Sequence, residues 1–232
     1  MRYQFDNIVD FFNLLNAADI NYLVLRNYEN LLTPEMYLDG HGDIDLLCED
    51  AFAIVNLIDA QSANSRIKAP GGDGIHYIFF INGQRVSLDL RQVGDGYYCK
   101  KWEQDLLDHK VKYECFYVMG DKDYFYTLVY HAILQKRSLS DDYLKRLVEM
   151  SNKLSISLDE LSQQGLIRLL EKHMRDQGYR FTYSHDRLVP NRFNLVDKSL
   201  VDFDFRLWSC HFWFDLNVAV LEWLVKIKHL IK

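Results

Sequence analysis

The sequence predicts an α+β (α/β) fold: a mixed β-sheet flanked by helices, followed by a mainly helical C-terminal module. Three observations carry that expectation. Over roughly the first hundred positions, apolar residues switch back and forth between helical and strand spacing. Within that stretch, Ile75–Ile81 and Gln84–Leu90 flank Asn82-Gly83, and Asn-Gly supplies the two positive-φ positions of a tight hairpin turn. After about Gly120 the spacing is helical only, which puts a boundary near 118–121 and divides the chain into 1–120 and 121–232.

The elements follow in order. Ile8, Val9, Phe11, Phe12, Leu14 and Leu15 predict a helix over Asn7–Ala18, with Asp6 as its cap. Tyr22–Leu25 reads as a short buried strand, and Arg26–Gly42, with Pro34, Gly40 and Gly42, as a long loop holding one helical turn. Asp43–Leu47 is the next strand, and Glu49–Ala60 a helix with Phe52, Val55 and Leu57 inward. Pro70–Gly74 is a breaker-rich loop before the hairpin; it lacks the Lys-Ser/Thr of a phosphate-binding P-loop. In the second half, Asp123–Lys136 carries Phe125, Leu128, Val129, Ala132 and Ile133 on one side. Ser140 caps a helix to about Met150, Ser157–Glu160 reads as a capping box, and Gly178 stands where that next helix should end. The apolar tail from Phe214 ends in Lys226, Lys228, His229 and Lys232. It suits either packing into its own domain or a peripheral contact with a membrane surface.

Composition narrows the function. Of 232 residues, 49% are apolar and 26% charged, with only 3 Pro and 11 Gly, which excludes disordered, collagen-like and low-complexity classes. A net charge of −6 speaks against a nucleic-acid partner. The four cysteines form no CxxC pair, the N-terminal stretch does not read as a signal peptide, and no stretch reaches the length of a membrane span. The expectation is a cytoplasmic protein with free thiols, or one at the inner membrane surface.

The chemistry concentrates on three carboxylates. Asp43 and Asp45 sit two apart on one strand, so both project from the same face, and Asp89 lies on another strand. Carboxylates converging at strand ends are hard-oxygen ligands for one or two Mg²⁺ ions, although a D-x-D alone is also ordinary strand decoration. Arg91, two residues beyond Asp89, shares its face and could pair with a carboxylate or a phosphate. His131 in an apolar helical pattern suits a core histidine or a phosphate contact. Lys136 suits a helix-end charge or a ligand contact, and Tyr97, Tyr98 and Trp102 suit core packing or stacking on a base.

The order strand, loop, Gly42-Asp43-Ile44-Asp45-Leu46-Leu47, helix, then a strand with one further Asp resembles the nucleotidyltransferase superfamily of the DNA polymerase β type. Leu25-Arg26-Asn27-Tyr28-Glu29-Asn30-Leu31 also looks like the nucleotidyltransferase-like proteins of bacterial surface-polysaccharide loci, as do Tyr130–Lys136 and Ser140–Tyr143. The resemblance covers roughly residues 20 to 195. It implies a nucleotidyltransferase-like sheet with Asp43, Asp45 and Asp89 as catalytic metal ligands for Mg²⁺, or Mn²⁺ in its place, and Asp89 as the carboxylate that helps deprotonate the acceptor hydroxyl. It further implies Arg26, Gly42, Arg91, His131 and Lys136 around the substrate, a nucleotide or nucleotide-activated donor, and a small sugar or alditol-type acceptor. In this sequence Arg26-Asn27 stands where the superfamily has Gly-Ser, so Arg26 would grip phosphate in place of the usual backbone and hydroxyl contacts. Two other readings share the motif: an inactive scaffold binding a protein or carbohydrate, and a nucleotidyltransferase that modifies a partner protein.

Overall fold

The computed structural model describes residues 4–38, 42–63, 75–136, 138–157 and 162–230. Its elements are α1 (Ile8–Ala17), β1 (Tyr22–Val24), β2 (Asp43–Cys48), α2 (Ala51–Ile58), β3 (Gln61–Ser62), β4 (His76–Ile81), β5 (Gln84–Gln92), α3 (Lys100–Asp108), β6 (Val111–Tyr113) and β7 (Phe116–Val118). There follow α4 (Asp121–Leu134), α5 (Asp141–Leu154), α6 (Gln163–Gln177), β8 (Phe181–Thr182), β9 (Val201–Asp202) and α7 (Phe205–Leu230). Seven strands form one mixed sheet in the order β3-β4-β5-β2-β1-β7-β6, and β8 pairs with β9 apart from it. The α+β class is therefore present.

The two-residue period of the strands divides the core. Tyr22, Val24, Ile44, Leu46, Cys48, Leu88 and Leu90 face a layer built with α1 and α2. Leu23, Leu25 and Leu47 face the other layer, where α3, α4, α5 and α6 pack around Trp102, Tyr130 and Phe125. Helix α4 crosses the middle of this second layer and is buried nearly all round, from Tyr124 to Leu134. Although α4 begins at Asp121, its core is continuous with the sheet.

Several expectations are met in detail. Asn82 and Gly83 take φ of 49° and 75° between β4 and β5, the conformation that Asn-Gly was read to supply. Ser140 accepts from the Tyr143 amide at the start of α5, and Gly178 ends α6 at φ 69°. A 3₁₀ turn at Pro34–Met36 supplies the helical turn of the long loop, after tighter turns in which Leu31 and Thr33 donate to the Tyr28 and Asn30 carbonyls.

Others need correction. The cap of α1 is Asn7, whose Oδ1 accepts from the Asp10 amide; Asp6 lies one residue too early to reach it. Asp50 caps α2 by accepting from Phe52 and Ala53, so the helix starts at Ala51 and its inward stripe is Ala51, Ile54 and Ile58. Phe52 is consequently 66% exposed rather than inward, and Val55 and Leu57 are only half-buried. Helix α6 begins at Gln163, capped by Ser162; Leu158–Glu160 of the expected capping box, like Gly71–Gly74, lie outside the described residues. Helix α3 and strands β6 and β7 had no counterpart in the sequence reading. Each is short, and α3 shows only Trp102, Leu106 and Leu107 as apolar points among charged residues. The tail is part of a 26-residue helix, in which Leu207, His211, Phe214 and Val218 form an inward stripe among the described side chains.

Candidate functional site

Strand register builds the site. β2 and β5 run parallel with Asp45 opposite Asp89, and β4 runs antiparallel to β5 with His76 opposite Asp89. One rung therefore reads His76, Asp89, Asp45 across three strands, spaced about 4.8 Å strand to strand. Asp43 lies one pleat along β2, opposite Ser87, and Arg91 one pleat along β5. All five alternate with residues of the α1–α2 layer, so they face the helical side of the sheet.

A cavity of about 290 Å³ opens there, lined by Arg26, Asp43, Asp45, Asp89, Arg91, His131 and Lys136 together with His76, Tyr97 and Asp186. The structure thus brings seven of the eight sequence-derived candidates to one place. Gly42 lines an adjoining hollow, and its role is steric: a Cβ there would come within 2.9 Å of the Met36 carbonyl oxygen. Asp186, His76 and Asn27 join them unannounced. Asp186 comes from a loop 95 residues beyond Arg91 and carries no motif; His76 was legible only as a strand residue whose partner in the hairpin register is Asp89.

The charges are paired internally. Arg26 Nη2 donates to Asp45 Oδ2 at 2.9 Å, and Nη1 donates to the Tyr97 hydroxyl and, at 2.8 Å, to His131 Nδ1. Asn27, in the left-handed region at φ 56°, turns the chain away after β1. His131 Nε2 lies 3.0 Å from the Tyr143 hydroxyl. Burial, and next the Arg26 charge, hold the His131 pKa far below its usual range, and the Gln135 Oε1 also lies 2.9 Å from Nδ1. On the other side, His76 Nδ1 donates to Asp89 at 2.7 Å, and its Nε2 lies 3.5 Å from Asp186. Asp186, and then Asp89, raise the His76 pKa to about 10. Asp186 also accepts from Arg91 Nη2 at 2.9 Å, and its own carboxyl is held far below the ordinary range by these cations despite burial.

Tyr97 stands between the two guanidiniums, with its ring centroid 4.4 Å from Arg91 and 5.7 Å from Arg26. The loop that carries it is fixed from below. Glu103, fully buried, accepts from the amides of Gly94 and Tyr98, and Asp95 accepts from the Tyr97 amide. Burial, then the nearby Asp95 charge, push the Glu103 pKa up to about 9. Gly96, at φ 75°, lets this loop touch the 183–184 backbone, where a Cβ would meet the Tyr183 carbonyl at 2.3 Å.

Two features remain unbalanced. Asp43 has no cationic partner among the described residues; burial first, then repulsion from Asp89 and Asp45, raises its pKa. Arg91 is 4% exposed, and its Nε and Nη1 make no hydrogen bond with a described residue, the guanidinium lying over the Tyr97 ring instead. Buried donors of this kind are costly unless a ligand accepts from them.

The fit of a divalent cation follows from the same contacts. Carboxylate oxygens are the donors Mg²⁺ takes, and the crowding felt by Asp43 is what a cation would relieve. Among the described residues no three His, Cys, Asp or Glu side chains form a ready ligand set. Arg26 and His76 hold two of the oxygens the ion would use. Asp43, Asp45 and Asp89 are oxygen donors of the kind Mg²⁺ takes and occupy adjacent strand positions, but two of them are held by Arg26 and His76 and the three are not gathered into a ligand set.

Comparison with known proteins gave no matching family model, no matching curated protein and no matching solved structure.

Proposed function

We propose that this cavity binds a phosphate-bearing, nucleotide-type donor and transfers its nucleotidyl or other phosphoryl-linked group to the hydroxyl of a small acceptor, of sugar or alditol type. What supports the reading is one observation above the others: the Arg91 guanidinium and Lys136 line one cavity with three carboxylates on adjacent strand positions. Arg91 and Lys136 receive the donor's phosphate charge, Arg91 by fixed donors and Lys136 as a mobile charge at the end of α4. Asp43, Asp45 and Asp89 would hold Mg²⁺, which when bound neutralises charge on the phosphoryl group in flight. The acceptor oxygen forms the new P–O bond, and the leaving phosphate departs with the electrons of the old one. The acceptor's proton would pass to Asp43, the one of the three carboxylates that makes no ion pair with a described side chain. Asp89 is less suited to that step, because the His76 imidazolium already occupies Oδ1.

A test follows from Arg91. Calorimetric titration with pyrophosphate and Mg²⁺ should show binding to the wild type and a loss of about 10–100-fold in Arg91→Gln, as expected for removing a charge-assisted pair. No measurable binding to the wild type, or equal binding by both proteins, would count against the reading.

One observation favours a second reading. Arg26 on Asp45 and His76 on Asp89 neutralise two carboxylates without any metal, as suits a non-catalytic scaffold that binds a charged ligand. Binding of pyrophosphate that is independent of Mg²⁺, with no turnover, is the outcome that reading expects.

A further inference from the structure

Helix α7 is two-faced in an unusual sense. Among its described side chains Leu207, His211, Phe214 and Val218, at i, i+4, i+7 and i+11, form a buried or half-buried stripe, with Ser209 half-buried outside it, and His211 Nε2 lies 2.7 Å from the Ser184 carbonyl oxygen. On the other side Trp208, Phe212, Trp213, Leu216, Val220 and Trp223 are exposed, the last tryptophan and Trp213 each by 61%. At about 100° per residue these six fall within an arc of about 140°, along a helix about 39 Å long. No described residue covers that arc. No helix of the described residues is long and apolar enough to cross a membrane, so the face is not one side of a span.

The surroundings are basic although the whole chain carries −6. Arg187 and Arg206 line a hollow of about 490 Å³ beside α7, and neither makes a salt bridge among the described residues; Asp204 is the one acidic side chain lining it. From Phe205 onward the sequence has four Lys or Arg against two Asp or Glu. Four of the six exposed apolar residues are aromatic. Pairing with a second helix calls for Leu, Ile or Val knobs, whereas Trp and Phe beside cations suit the headgroup level of a bilayer. The position matters too: Leu188 and Pro190 line both the carboxylate cavity and the groove against α7.

We propose that α7 docks this protein on an anionic phospholipid surface, with its aromatic face among the headgroups and Arg187 and Arg206 against lipid phosphates. The cavity mouth then lies beside the bilayer. The inference stands on surface chemistry and is independent of the reaction proposed above.

Co-sedimentation with vesicles of phosphatidylcholine alone, and of phosphatidylcholine mixed with phosphatidylglycerol, tests it, with tryptophan emission and light-scattering mass recorded in parallel. The full chain should partition onto the mixed vesicles with a blue shift. Trp213→Glu/Trp223→Glu should lower partitioning by about tenfold or more, and Arg187→Glu/Arg206→Glu should remove the preference for anionic lipid. All these positions are exposed or half-buried, so folding of the variants can be verified by melting temperature. Absence of vesicle binding by the wild type, or binding unchanged in the tryptophan variant, would overturn the proposal. So would a dimer that does not bind vesicles and becomes a monomer in that variant, because a second copy would then cover the face.

Discussion

Asp45→Asn is expected to destabilise the protein by about 3 kcal/mol, equivalent to about 6–12 °C in melting temperature for a chain of this size. The reason lies in Arg26. Its guanidinium is buried, and Asp45 is its one anionic partner; Tyr97 and His131 are neutral. Removing the carboxylate leaves an uncompensated charge in the interior. Asp43→Asn is expected to behave differently. Asp43 is exposed and makes no ion pair with a described residue; neutralising it relieves repulsion from Asp89 and Asp45 and gives up a weaker attraction to His76, so its melting temperature should stay close to the wild-type value. Thermal unfolding of the two variants side by side decides the matter. Equal melting temperatures for Asp45→Asn and wild type would mean that Arg26 does not depend on this pair. The contrast also has a practical consequence: loss of activity in Asp45→Asn mixes chemistry with stability, whereas loss in Asp43→Asn does not.

The second large effect is on pH. Glu103 binds its proton more tightly folded, with a pKa near 9 against an ordinary 4.5, and His76 does so with a pKa near 10 against 6.5. Between about pH 4.5 and 9 for Glu103, and about 6.5 and 10 for His76, the native state binds more protons than the unfolded chain. Stability therefore falls as pH rises through both windows. Asp186 works in the other direction: its lowered pKa contributes stability that is lost only in strong acid. The melting temperature should accordingly drop by about 10 °C or more from pH 6 to pH 9. Glu103→Gln, which cannot ionise, should flatten much of that slope. It should also cost about 1–2 kcal/mol, because its amide nitrogen would face one of the two backbone N–H groups that Glu103 accepts. A flat profile in the wild type, or an undiminished slope in Glu103→Gln, would contradict the protonated Glu103.

How much of this was legible in the sequence depends on the range of the interaction. The period-two placement of Asp43 and Asp45, and of Asp89 and Arg91, puts each pair on one face whatever the rest of the chain does, and the hairpin turn at Asn82-Gly83 fixes His76 opposite Asp89. The parallel pairing that sets Asp45 beside Asp89 needs the long connection through α2, β3 and β4, and only the resemblance pointed to it. Arg26 is expected to hold phosphate; it lines the cavity, and its Nη1 and Nη2 donate to Asp45, Tyr97 and His131, all distant in sequence. The free donors belong to Arg91, whose anchor Asp186 sits in a loop without regular structure or motif. Such a loop is positioned by the helical layer beneath it, which no local pattern encodes. Phe52 shows the same limit on a smaller scale: moving a helix start from Glu49 to Ala51 rotates which side chains face the sheet.

The central claim is that three carboxylates and Arg91 form one site for a metal-bound phosphate donor. Its most direct test is a thermal-shift panel of wild type and Asp43→Asn with CTP, UTP, ATP, GTP and nucleotide-diphosphate sugars, each with and without Mg²⁺. A ligand at about a hundred times its Kd stabilises the native state by about 2.7 kcal/mol, or about 5–10 °C here. The account predicts such a rise for one nucleotide, present only with Mg²⁺ and absent in Asp43→Asn. No rise with any of them, or a rise that needs no Mg²⁺ and persists in Asp43→Asn, would contradict it.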